Sequence, residues 1–327
     1  MRAVLCKEHG PPESLVVEAV ASAPVGESDV RIGIHACGVN FPDTLIIRGK
    51  YQIQPELPFS PGSEVAGEVL EVGSGVQHLK VGDPVISLTG WGGFAEEVVI
   101  GADRVLPMPP SMDYVTGGGF PMVYGTSYHA LKQRAGLAAG ETLLVLGASG
   151  GVGLAAVELG KAMGARVIAA ASSGEKLQVA KEHGADALVN YAEDSLKDTV
   201  KELTDGKGAD VIYDPVGGEA CEQSLRCINW NGRLLIVGFA SGAIPKIPAN
   251  LPLLKGSSVV GVFWGDFVRR QPQDNARNFQ ELFALHAEGK LKPHVWKSYP
   301  LEQAGEALNA LLSRKATGKI VLTTDRS

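Results

Sequence analysis

ETLLVLGASGGVGLAAVELGKAMG, residues 141–164, runs from an apolar segment through a turn of Gly, Ala and Ser into a helical pattern with Ala and Leu on one face. That order predicts a strand, a phosphate-binding turn and a helix. Ala148, Gly150 and Gly153 give A-x-G-x-x-G, in which minimal side chains let the backbone turn tightly, approach a pyrophosphate and pack helix against strand. The free N–H groups and positive dipole end of the helix then face the anion. Ser149, Gly150, Gly151 and Val152 are the candidate phosphate contacts.

Outward from this turn, residues 141–264 alternate strand-like and helix-like segments. The strands expected are 142–146, 166–171, 187–191, 210–216, 233–238 and 257–263, with helices starting near Gly151, Glu175, Ser195, Glu219 and Leu251. Such alternation implies an α/β, doubly wound parallel sheet, because each right-handed crossover needs a helix on the return. Residues 1–105 are instead rich in Gly, Pro and Val, with β-branched runs between turn residues, and predict a compact, mostly antiparallel β unit. After Trp264 come a helix over 275–288, a short strand near Val295, a helix over 301–312 and a strand over 319–323. That piece is too small to fold alone and is expected to complete the first domain. The expected division is a catalytic β domain over 1–121, a dinucleotide-binding domain over 122–261 and a return over 262–327, with substrate in the cleft between them.

A chain of 327 residues exceeds one core, and 45% hydrophobic with 20% charged residues is ordinary for a globular enzyme. The net charge of -6 and the lack of a Lys/Arg block give no attraction to nucleic acid or anionic lipid. The opening residues show no signal or transit pattern and no apolar run spans a bilayer, so a cytoplasmic location is expected. Cys6, Cys37, Cys221 and Cys227 form no C-x-x-C and read as reduced thiols.

Four segments carry a resemblance. Cys37 to Asp43 (CGVNFPD), Gly62 to Val69 (GSEVAGEV), Ala148 to Gly153 and Ala316 to Lys319 (ATGK) resemble the zinc-independent quinone oxidoreductases, the ζ-crystallin-like branch of the medium-chain dehydrogenase/reductase superfamily. The resemblance spans nearly the whole chain. It implies a Rossmann cofactor domain beside a mostly β, GroES-like catalytic domain. The zinc-dependent members have Cys where this chain has Asn40 and His where it has Ser63, and their third ligand position falls in Gly117-Gly118-Gly119. An amide, a hydroxyl and a glycine cannot supply the deprotonated ligands zinc needs, so no metal is expected. Without a Lewis acid, alcohol oxidation is disfavoured, while hydride addition to a quinone or an α,β-unsaturated carbonyl stays feasible.

An NAD enzyme would place an acid at the end of the second strand, which here reads Ala169 to Gly174. Glu175 is explained by a capping box with Ser172. Lys176 falls in the first turn of that helix, where a cation opposes the dipole unless an anion is near. The resemblance makes that anion a 2′-phosphate flanked by Lys176 and Tyr191, with Ser173 beside it, and implies NADP(H). It also implies Thr126 beneath the nicotinamide, while Val237, Gly238, Phe239 and Ala240 end one expected strand and Val262, Phe263 and Trp264 another, so their backbones are expected near the carboxamide at the carboxyl edge of the sheet. Asn40 and Tyr51 are the polar residues expected at the reacting end, on both cofactor and substrate. A second family Tyr is Leu45 here, which weakens a two-tyrosine relay. The partners expected are a small quinone or enone and, through the 257–264 strand, a second copy of the chain. The alternatives are an enoyl or acryloyl thioester reductase using Arg269, Arg270 and Lys292, and a non-catalytic NADP-binding protein.

Overall fold

The computed structural model describes residues 1–326. It opens with a two-stranded antiparallel ribbon, β1 (Arg2–Leu5) and β2 (Val16–Ala19). There follow β3 (Asp29–Val39), α1 (Phe41–Ile46), β4 (Val65–Val72), β5 (Pro84–Ser87), β6 (Glu97–Gly101), β7 (Val105–Pro107) and α2 (Tyr114–Gly119). Half of the six residues of α2 are glycines: Gly117, Gly118 and Gly119 are buried, and a Cβ on Gly118 would press on the Ala36 backbone at 2.9 Å and one on Gly117 on Met108 Sδ at 2.8 Å. The glycine run thus serves close helix–sheet packing.

The chain divides inside α3 (Pro121–His129), at Met122/Val123, and again at Lys292/Pro293. Between these points lie β8 (Thr142–Leu146), α4 (Gly151–Ala162), β9 (Arg166–Ala171), α5 (Gly174–Glu182), β10 (Ala187–Asn190), α6 (Leu196–Leu203), β11 (Ala209–Asp214), α7 (Gly218–Ser224), β12 (Ile228–Ile236), α8 (Asn250–Lys255), β13 (Ser258–Gly261), α9 (Trp264–Arg270) and α10 (Pro272–Ala287). The six strands form one parallel sheet in the order β10-β9-β8-β11-β12-β13. Its order reverses between β8 and β11, which puts the ligand crevice of such a sheet beyond the carboxyl ends of those strands. Leu144, Leu146, Ile168, Ala170, Ile212 and Leu234 are fully buried in its core, which explains the near-continuous apolar runs.

After Lys292 come β14 (Val295–Pro300), α11 (Ala304–Leu312) and β15 (Lys319–Thr323). They return to the first unit, whose seven-stranded sheet has the order β14-β15-β3-β4-β5-β7 with β6 also on β3. Strands β14 and β15 pair parallel, and β15 lies antiparallel to β3.

Two expectations need correction. The return to the first unit comes at Pro293 rather than 262, because α9 and α10 belong to the second unit, held there by Trp264. Its ring is 5% exposed, packs against Gly125 and Phe279, and donates from Nε1 to Asn275 Oδ1 at 3.2 Å. The expected 257–263 strand accordingly stops at Gly261, and Trp264 opens a helix instead of ending a strand.

Candidate functional site: a dinucleotide cradle and a buried polar ring

In the second unit, β8 ends in a turn where Gly147 has φ +58°, a conformation open to glycine. A Cβ on Gly153 would run into the Gly147 carbonyl, so that position needs glycine for packing. Gly150 differs. A Cβ there would meet only Gly147 O at 3.5 Å, an ordinary contact, so nothing inside the chain demands glycine. Gly150 is the N-cap of the twelve-residue α4 and supplies no side-chain cap, which leaves the first N–H groups of Gly151, Val152 and their neighbours for an external acceptor. Ser149 is buried beside them. This cradle fits a pyrophosphate.

The next turn, from β9 to α5, carries no acid at the strand end. Here the capping box is corrected: Ser173, not Ser172, is the N-cap and accepts from Lys176 N at 3.4 Å, which leaves Glu175 exposed at the second helical position. Lys176 Nζ reaches back to Ser172 Oγ at 3.2 Å. Tyr191 follows β10, half-buried against the sheet core, with its N–H on Ala171 O at 3.1 Å. The second unit therefore gathers Ser173, Lys176 and the 171–172 turn at one corner. Thr126 is half-buried on α3.

Asp214, which sequence reasoning passed over, ends β11 fully buried. Its Oδ1 accepts from Val216 N and Gly217 N, both at 2.8 Å, while burial pushes its carboxyl up against the pull of the Cys221 thiol and those two amides. Its own carbonyl accepts from Val237 N at 2.9 Å and Gly238 N at 3.3 Å, and Ala240 N bonds Pro215 O at 3.0 Å. Asp214 thus carries the Val237–Ala240 loop, with Phe239 half-buried in it. An acid closing the apolar run Val211 to Tyr213 was the signal available. Val262 N bonds Ile236 O at 3.0 Å, and Phe263 is exposed. Arg269 and Arg270 both close on Asp266, at 2.7 and 2.5 Å.

In the first unit, Asn40 caps α1 and enters a ring of buried polar groups. Lys319 Nζ donates to Val39 O at 3.0 Å and Asn40 Oδ1 at 2.6 Å, and pairs with Glu64 Oε1 at 2.7 Å. Asn40 Nδ2 donates to the same Glu64 oxygen at 2.8 Å and to Gly38 O at 3.3 Å. Glu64 Oε2 accepts from Met122 N at 2.7 Å. The ammonium on one side and the carboxylate on the other fix which way the amide faces. Both Asn40 donors are therefore engaged within the chain, and a lone pair on Oδ1 is what remains for a bound group.

Asp43 holds this turn from beneath, its two oxygens accepting from Asn40 N at 2.8 Å and Gly62 N at 3.2 Å. Ser63 Oγ is buried without a hydrogen-bond partner among the described residues. Tyr51 packs half-buried against the core of the same unit, and burial, with the charge of Asp43, pushes its phenol up, so it stays protonated. Leu45 lies half-buried on α1. These donors do not make a zinc site: a lysine ammonium already neutralises Glu64, and an amide and a hydroxyl stand at the ligand positions. Among the described residues no group of three or more His, Cys, Asp or Glu could hold a metal ion.

A glycine-turn helix at the reversal point of a six-stranded parallel sheet, in one chain with a β unit that holds a buried polar ring, defines the dinucleotide-dependent oxidoreductase class. The alcohol dehydrogenase GroES-like domain family matches residues 26–110, and the zinc-binding dehydrogenase family matches 151–284. The chain is 46% identical to quinone oxidoreductase-like protein 2 homolog of Nematostella vectensis, over 99% of this chain and 89% of that one, and 35% identical to human quinone oxidoreductase, over 98% and 97%. The crystal structure of Escherichia coli quinone oxidoreductase complexed with NADPH superposes with a TM-score of 0.92 at 31% identity, covering 99% of this chain and 100% of that one. The chain belongs to the quinone oxidoreductase-like branch of the medium-chain dehydrogenase/reductase superfamily.

Asp43 generates a pH prediction. Burial pushes its carboxyl up from 3.8 to about 7, against the pull of the Asn40 amide, Lys319 and the Gly62 amide. The folded chain then holds this proton more tightly than the unfolded one, so the contribution is fully present below pH 3.8 and is lost as pH rises to about 7. Replacing Asp43 by Asn should flatten the fall in stability across that window, as read from urea midpoints at each pH.

Proposed function

We propose that this chain reduces quinones or α,β-unsaturated carbonyls with NADPH and without zinc. The observation that carries the reading is the pairing of an uncapped α4 N-terminus with Lys176 at the β9–α5 turn, where an NAD enzyme would keep an acid. The Gly150–Val152 amides suit the pyrophosphate, and Ser173, Lys176 and Tyr191 suit the 2′-phosphate. Thr126 and the Val237–Ala240 backbone are assigned to the nicotinamide end, with the backbones of Val262, Phe263 and Trp264 following them. When bound, the reduced nicotinamide would supply a hydride to the electron-poor carbon of the acceptor.

The remaining steps belong to side chains. Tyr51 keeps its proton and donates toward the oxygen on which charge develops, a stabilisation that grows along the reaction. Asn40, with both N–H groups committed, acts through the Oδ1 lone pair as an acceptor that orients the cofactor. Half-buried Leu45 suits the apolar ring of a quinone or enone.

Further parts of the reading concern the setting. No helix among the described residues is long and apolar enough to cross a membrane. The four cysteines are all free and buried, which agrees with a reducing, cytoplasmic location. A second copy of the chain is the partner assigned to the edge strand β13, which carries exposed Val259, with exposed Trp230 on β12 and exposed Leu253 and Leu254 on α8.

Loss of reduced-nicotinamide absorbance with quinones and enones should be faster with NADPH than with NADH. Equal kcat/KM for the two would remove the assignment of the phosphate. Charge-assisted contacts contribute about 1.5–3 kcal/mol, so Lys176→Glu should weaken NADPH use by about ten-fold or more. Tyr51→Phe is expected to lower kcat while leaving NADPH affinity nearly unchanged, and an unaltered kcat would take the phenol out of the chemistry. Light scattering should give the mass of two chains, against which a monomer would count.

A further inference from the structure

Glu158 lies on α4, seven residues beyond Gly151 and about 10 Å along the axis from the anion-binding end. It is 4% exposed, yet every oxygen position on it is used. Oε1 accepts from His183 Nδ1 at 2.5 Å and from Lys292 N at 3.2 Å; Oε2 accepts from the Tyr124 hydroxyl at 2.6 Å and from the same Lys292 N at 3.1 Å. A carboxylate taken out of water costs several kcal/mol unless donors surround it, and these donors come from three different elements. Tyr124 is on α3, two residues before Thr126. His183 is the C-cap of α5, the helix whose first turn carries Lys176, with Ser173 as its N-cap. Lys292 follows α10. Burial, and then the Glu158 charge, push the Tyr124 phenol well above its ordinary range, so it remains a donor.

Each of these helices contributes one part of the cofactor contact assigned above: α3 the nicotinamide end, α4 the pyrophosphate, α5 the 2′-phosphate. We infer that Glu158 is a positioning residue for the dinucleotide, tying α3, α4 and α5 together at one spacing so that the three contacts match the length of a single bound molecule. The inference rests on the NADPH reading. Its physical content is preorganisation: a ligand that bridges all three elements gains from a fixed spacing, whereas a fragment that touches only part of the set does not. A carboxylate that merely filled the interior would affect stability and treat all ligands alike.

The test measures Kd for NADPH and for adenosine 2′-phosphate, which reaches the α5 contact alone, by titration calorimetry on the full chain, in the unmutated protein, Glu158→Leu, and the milder Tyr124→Phe and His183→Gln. Glu158→Leu should raise the NADPH Kd by about ten-fold or more while changing that for adenosine 2′-phosphate by less than about two-fold. Tyr124→Phe and His183→Gln should show the same split at smaller size, and they decide the matter if Glu158→Leu does not fold. Glu158→Gln, which keeps one acceptor oxygen, should recover part of the NADPH affinity. An unchanged NADPH Kd, or an equal rise for both ligands, overturns the role of Glu158 while leaving the cofactor assignment intact. Failure of the unmutated chain to bind NADPH overturns both.

Discussion

A buried ammonium organises the first unit. Lys319 Nζ has three protons and three acceptors, Val39 O, Asn40 Oδ1 and Glu64 Oε1, in a place where Glu64 is wholly excluded from water. Leaving such a carboxylate without its partner costs about 3–5 kcal/mol, so the arrangement is held as a set. The pair joins β15, the β3–α1 turn and the residues entering β4, and the second Glu64 oxygen fixes Met122 where the chain leaves the unit. The same ammonium neutralises Glu64 without offering an open coordination position.

The second unit rests on a different constraint, the parallel sheet whose order reverses between β8 and β11. Three of the contacts assigned to the cofactor lie at the carboxyl ends of its strands: the uncapped helix after β8, the β9–α5 turn, and the Val237–Ala240 loop hung on Asp214. Asp214 and Glu158 show how acids are used here. Each is buried, each accepts from several donors, and each fixes backbone or helices near the assigned contacts without being assigned a contact of its own.

The parallel strands were legible because burial on both faces writes itself as uninterrupted apolar residues: 142–146, 166–171 and 319–323 have the bounds read from the sequence. The helix read over 275–288 is present as α10, but residues 264–270 and the unit they join were not legible, because Trp264 and Phe267 begin a seven-residue helix whose Arg269 and Arg270 hide its apolar face, and nothing local says which core that face joins. The cap of α5 was misplaced by one residue because Ser172 and Ser173 are equivalent in composition and differ only in backbone conformation. Glu64, Asp43 and Lys319 stood in the quoted motifs without a role of their own, and Glu158 was passed over, for a common reason. Charged residues default to the surface, and their burial depends on partners far off in the chain, 279 residues in the case of Asn40 and Lys319.

That separation bears on how the chain comes to be folded during synthesis. The second unit is one continuous stretch, Val123–Lys292, and all the partners of its sheet are available once α10 has emerged. The first unit lacks two strands at that stage, and Glu64 lacks its counter-charge. The earlier-made half must therefore wait, with an unpaired edge on β3 and an acid it cannot yet bury, while the later-made unit matures. Emergence of β15 closes the sheet and neutralises the acid in a single event, which makes the β3–β15 pairing the step that a chaperone, or an aggregating neighbour, would compete for.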